Sequence, residues 1–224
     1  MLIMKLKNTA LTLAIFSAIT ASGMANAGKS QLTMKVGGTI LPASCEIGEG
    51  SSTTSINLGR LSASKLNDNE MTTLAAQTAK INIVCPSYTA ISLQATDVAE
   101  KAGQVEYANR VTPEVFSLGA TSDGKVIGGY FVAMQDTSKV DGRPVANFIQ
   151  APMGSTSWVK SAGGINANNN VMYSWAVLSP DAPALGKVHS IDLKIVPFIE
   201  PASTLNTSEN IEIKGEATYD LVYL

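Results

Sequence analysis

From Gln31 to Ile40 the residues Leu32, Met34, Val36, Gly38 and Ile40 alternate with polar or small ones. That period of two places one set of side chains on a single face of a β-strand. The same reading predicts strands at Ile81–Cys85 and Ala90–Ala95, split by Pro86 and Ser87, and a further pair at Val126–Met134 and Val145–Gln150. Val171–Ser179, Val188–Ile199 and Asn210–Leu224 complete the set. Asp123-Gly124 stands before the middle pair and Asp141-Gly142 between its members. Such pairs favour tight hairpin turns because glycine accepts positive φ at little cost. Only Leu61–Ala79 offers a helical turn, through Leu66, Met71 and Leu74, and Asn69, Thr72 and Thr73 weaken it. No repeat, charge block or Pro-rich linker divides the chain, so the pattern predicts one all-β domain, a sandwich of two antiparallel sheets.

The first 27 residues read differently. Lys5 and Lys7 precede a short apolar run, Ala10–Ile19, and Ala25-Asn26-Ala27 supplies small residues at a cleavage site. This is the three-part form of a secretory signal peptide, with cleavage expected after Ala27. The run falls short of the ~20 residues that span a bilayer, and no later stretch reaches that length, so no transmembrane segment is expected in the mature chain. Loss of residues 1–27 removes two lysines and no acid, taking the charge of the 224-residue chain from −2 to −4. Nothing in that balance forms a basic footprint for nucleic acid. The export signal also decides how Cys45 and Cys85 are read. In an oxidising compartment two cysteines are expected to be bridged. A redox-active pair would call for a Cys-x-x-Cys spacing, which is absent. One histidine and two cysteines leave too few ligands for an ordinary zinc site, and no cofactor is expected.

Candidate catalytic motifs do not survive inspection. Gly119–Lys125 has the spacing of a phosphate-binding loop, but Val126 stands where a magnesium-binding Ser or Thr is required, and a strand follows where a helix must open. The plainer reading is a polar hairpin connection. A Ser-His-Asp triad would need His189, which lies in an alternating strand with no Gly-x-Ser-x-Gly elbow elsewhere; a solvated or hydrogen-bonded strand histidine is the expectation. Asp97, Asp136, Asp141 and Asp192 lack calcium-loop spacing. Asn206-Thr207-Ser208 matches a glycosylation sequon and reads as loop. Trp158 and Trp175 suit either a sandwich core or a sugar-stacking platform, and the core is the stronger expectation. The chain does not read as an enzyme.

The two ends carry the remaining signal. Ile211, Ile213, Gly215, Ala217, Tyr219, Leu221 and Tyr223 fall on one face, opposite Glu212, Lys214, Glu216, Thr218 and Asp220. Such a strand either closes the sandwich or forms an edge open to another strand, as in donor-strand complementation. The segment Lys29–Gly38, exposed after cleavage, is the matching candidate donor.

In these features the chain resembles subunits of chaperone–usher fimbriae: a signal peptide, an alternating N-terminal segment, an early Cys45 paired with Cys85, and a last strand with a penultimate tyrosine, Tyr223. It is most similar to a fimbrial-like domain family found beside chaperone and usher genes in enteric bacteria. The residues that carry this are Ile56–Leu61, Phe116–Gly119, Asp123–Tyr130 and Gly215–Leu224. The resemblance implies residues 1–27 as signal peptide, 28–44 as an N-terminal extension and candidate donor strand, and 45–224 as a pilin-like domain. The implied fold is an immunoglobulin-like antiparallel β-sandwich lacking one strand, completed by strand addition. Leu32, Met34 and Val36 would be donor side chains, and Tyr219, Leu221 and Tyr223 would line the acceptor and chaperone-binding edge. The implied partners are a periplasmic pilus chaperone, an outer-membrane usher and neighbouring fimbrial subunits. The implied location is the periplasm and then the fimbrium at the cell surface, in adhesion. The family's usual glycine fourteen residues from the end is Ile211 here, and the nearest glycine is Gly215. The alternative is an adhesin-like binding module, periplasmic or at a fimbrial tip, that is self-completed and does not polymerise.

Overall fold

The computed structural model describes residues 34–37, 44–48, 54–99, 105–107, 110–178 and 181–224. The signal-peptide reading of 1–27, the donor position Leu32 and most of the Gln31–Ile40 strand lie outside them. Residues 34–37 belong to a separate N-terminal unit and are in no ladder, with Met34 80% and Val36 92% exposed.

In the second unit the strands run β1 (Glu46–Ile47), β2 (Thr72–Thr73), β3 (Gln77–Asp97), β4 (Glu106–Tyr107), β5 (Arg110–Val111), β6 (Val115–Ser117), β7 (Gly128–Met134), β8 (Lys139–Val140), β9 (Arg143–Pro144), β10 (Asn147–Pro152), β11 (Val159–Ser161), β12 (Val171–Ala176), β13 (Leu185–Ile199) and β14 (Ala217–Tyr223). The described pairings are antiparallel, and no helix among the described residues is long and apolar enough to cross a membrane. The expected helical turn in Leu61–Ala79 reduces to one 3-10 turn, Ala63–Lys65, before β2 and β3 begin.

The long β3 joins two layers. Its first half pairs with β13, which also pairs with β7, and β7 pairs with β6. Its second half pairs with β14 and touches β12, which leads on through β10 to β11. The continuous ladder thus folds over itself. Ile83, Val132, Phe116 and Ile191 from one half meet Leu93, Phe148, Tyr173 and Trp175 from the other in a single buried cluster. This is the immunoglobulin-like layering of an antiparallel sandwich. A smaller hairpin, β4–β5, sets the Tyr107 ring edge-on to Phe131 and Phe198 at 4.9 and 5.0 Å.

Pro86 and Ser87 do not divide two strands as the sequence suggests; they lie inside β3. Between Val84 and Thr89 the pairing slips, because Val84 faces Val188 while Thr89 faces Gly186. The extra β3 residues bulge out of the ladder, so Pro86 sits where its missing N–H costs no rung. The expected strand from Asn210 likewise begins only at Ala217.

Candidate docking edge

The last strand owes its position to the segment before it. Ile211 and Ile213 pack on the satellite core of Leu118, Ile127, Ile199 and Leu205, while the Lys214 N–H donates to the Leu118 carbonyl at 2.9 Å. Gly215 then crosses the Tyr130 ring: a Cβ there would lie 3.1 Å from Tyr130 Cε1 and 3.0 Å from the Ser117 carbonyl oxygen. Next, the Val98 N–H donates to the Glu216 carbonyl at 3.0 Å and β14 starts against the end of β3. At the far end the Leu224 N–H donates to the Ala90 carbonyl at 3.1 Å.

The register puts Tyr219 opposite Ala95, Leu221 opposite Leu93 and Tyr223 opposite Ile91. These three β3 residues are buried to 1% exposure. Their β14 counterparts share the core-facing side, yet Tyr219 and Leu221 are only half-buried and Tyr223 is 47% exposed. Among the described residues β14 ladders with β3 alone. Among the described residues the last strand is thus laddered on its β3 side and carries no ladder on the other. On the outward face Thr218 and Asp220 are exposed.

The site is uncharged where it is apolar. Burial pushes the Tyr219 phenol far above its usual range, and burial does the same to Tyr130, helped by Tyr219, Asp97 and Glu216. Both stay neutral at any physiological pH. Tyr223 is tied by its hydroxyl, which accepts the Cys45 N–H at 2.7 Å. Cys45 is itself bridged to Cys85 across 40 positions, as expected, so the disulfide anchors the segment that holds the last strand's end. Among the described residues no group of three His, Cys, Asp or Glu side chains is placed to hold a metal.

Of the residues singled out from sequence, the fold brings Tyr219, Leu221 and Tyr223 to one face and joins Cys45 to Cys85. It removes Trp175 as a stacking platform, since that ring has 0% exposure. His189 is hydrogen-bonded rather than solvated, with 0% exposure. Gly119–Lys125 is the polar hairpin expected: Ala120 bridges Val126, and the Thr121 N–H donates to the Lys125 carbonyl at 2.9 Å. Two contacts escaped the sequence, the Tyr130–Gly215 crossing and the Tyr223–Cys45 bond. Their partners lie 85 and 178 positions apart, with no local spacing to signal them.

No family model matches the chain. It is similar to a protein of Escherichia coli (strain K12) named Uncharacterized protein YhcF, 26% identical over 202 residues that cover 75% of this chain and 81% of that one. Among solved structures it matches the P pilus rod subunit PapA at 15% identity, over 80% of this chain and 99% of that one, with a TM-score of 0.35.

Proposed function

We propose that this chain is an exported, fimbrial-like structural subunit assembled by strand addition at the free edge of β14. One observation carries the reading. Tyr219, Leu221 and Tyr223 face the core on a strand that, among the described residues, is paired on one side only, and stay partly open while their β3 partners are fully buried. A half-covered apolar row beside an unpaired backbone edge fits an incoming strand, which adds main-chain bonds along the edge and alternate side chains into the gap.

On this reading Leu32, Met34 and Val36 of a neighbouring copy are the donor residues, and the exposure of Met34 and Val36 supports that role. A periplasmic chaperone occupies the edge first, an outer-membrane usher passes the subunit on, and the assembled fimbrium serves surface adhesion. The domain then spans 45–224, with 28–44 as its extension and 1–27 as the cleaved signal.

The test is co-expression of the mature chain with a periplasmic pilus chaperone, with and without residues 28–38. The intact chain should copurify with the chaperone and form oligomers on its release. The deleted chain should copurify equally well and remain monomeric. A mature chain that folds fully as a monomer with no chaperone, and stays monomeric at high concentration, overturns the proposal.

A further inference from the structure

Five large apolar side chains stand in water around the bulge of β3. Leu185 of β13 faces Ala90 of β3, and on the other edge of β3 the Leu224 N–H donates to the Ala90 carbonyl at 3.1 Å. Directly opposed residues of antiparallel strands project to the same side of a sheet, so Leu185 and Leu224 flank Ala90 on one face. On the far side of the bulge Val84 faces Val188 of β13, and Tyr88 stands out from the bulge itself. Tyr88 and Leu185 are each 67% exposed, and Val84, Val188 and Leu224 are 44–49% exposed. None of the five belongs to the core clusters of the described residues. Lys187 Nζ lies 5.3 Å from the centre of the Tyr88 ring and completes the group. Single exposed apolar residues are ordinary, but a register-linked set of this kind marks a contact surface.

Size and position select what covers it. Five side chains fall short of the roughly 800 Å² that each partner of a specific complex buries. The patch is therefore too small to capture a free partner and acts on one that another link already holds. Such a link begins beside it. Glu46 of β1 faces Val84, and the neighbouring Cys45 donates its N–H to the hydroxyl of Tyr223, the residue before Leu224. Residues 28–43 thus lead into the domain next to both ends of the patch. On the docking reading that segment runs to a neighbouring copy, which is thereby held at high effective concentration near this surface.

We propose that Val84, Tyr88, Leu185, Val188 and Leu224 form a seat for the second copy of this chain that has received the N-terminal segment, a contact made after docking that slows release. The proposal rests on the docking reading and adds to it a surface on the donor side. The contact is head-to-tail, so it consumes one seat per junction and leaves the next copy free to repeat it.

The test uses the mature chain released from a periplasmic pilus chaperone, as wild type and as the Tyr88→Ser, Leu185→Ser double variant, with a synthetic peptide of residues 28–40 as an isolated donor. The variant should bind chaperone and peptide as the wild type does. Its oligomers should dissociate about tenfold faster or more, because two large apolar side chains lose their burial. In the wild type, Tyr88 and Leu185 should be protected from hydroxyl-radical oxidation in the oligomer and open in the peptide and chaperone complexes. Peptide binding with an unchanged oligomer lifetime, or with both residues still open in the oligomer, overturns the seat and leaves the docking reading standing. Protection already present in the chaperone complex overturns it too, assigning the surface to the chaperone. A wild-type chain that binds neither peptide nor chaperone overturns the docking reading, and the seat with it. If the double variant does not fold, the wild-type oxidation pattern decides.

Discussion

A Cβ on Gly128 would land on the Phe198 carbonyl oxygen, and one on Gly129 would meet Val115 Cγ1 at 2.7 Å and the Phe116 carbonyl oxygen at 2.8 Å. The sequence shows a Gly-Gly pair after a turn but not the strand that crosses it, because Phe198 lies some seventy positions on and meets it only through the β7–β13 ladder. Gly129→Ala should therefore lower the unfolding free energy by about 1–3 kcal/mol, the usual range for overpacking, read as a lower urea midpoint at unchanged slope. His189 was legible as a strand residue; its cage was not, since Trp175, Gly186 and Asp141 come from separate strands and turns. Burial lowers the His189 pKa below its unfolded value, against smaller opposing effects from Gly186, Asp141 and Thr89. The unfolded chain then binds the extra proton more readily, so this contribution to stability is complete above about pH 6.5 and declines as the pH falls below it. Urea midpoints at pH 7.5 and pH 5 should differ in that direction, and the difference should shrink in His189→Asn.

Alternation along β14 and β13 could be read directly, because the period of two depends only on the pleat of a strand. Strand ends could not. Asn210–Glu216 alternates as well as Ala217–Tyr223 does, yet only the latter forms a ladder. The reason lies in the partner: Ala217 faces Asp97, the last residue of β3, so the ladder stops where β3 stops. Upstream of that point the chain turns its hydrogen bonding to Leu118 instead. Pro86 misleads for the complementary reason, since a bulge lets a proline sit within a strand without facing a rung. If the half-covered face of β14 is the docking row, Leu221→Asp should leave the far-ultraviolet circular dichroism of the chain unchanged. It should weaken chaperone capture by about tenfold or more, about 1.4 kcal/mol, because a carboxylate would have to be buried in the gap.

The domain as a whole joins one fold-over sheet, a shared core and a single covalent clip between Cys45 and Cys85. The clip was readable from the cysteine count and the expected export signal, whereas the way β3 serves both layers is a tertiary fact that no local pattern encodes. Closing a 40-residue loop is worth about 4 kcal/mol in the chain-entropy model. The Cys45→Ser, Cys85→Ser double variant should accordingly melt about 8–16 °C lower than the oxidised chain, measured by calorimetry under identical buffer. A different consequence follows from the unpaired side of β14. A strand edge without a ladder among the described residues, beside apolar side chains, is a template for indiscriminate polymerisation as much as for docking, and charged residues on such a strand act as gatekeepers. Asp220, exposed in the middle of β14, occupies that post. Asp220→Val should shorten the lag before thioflavin-positive fibrils form from the isolated chain. On the docking reading, Asp220 would set how long the chain can wait, uncapped, before it is lost to aggregation.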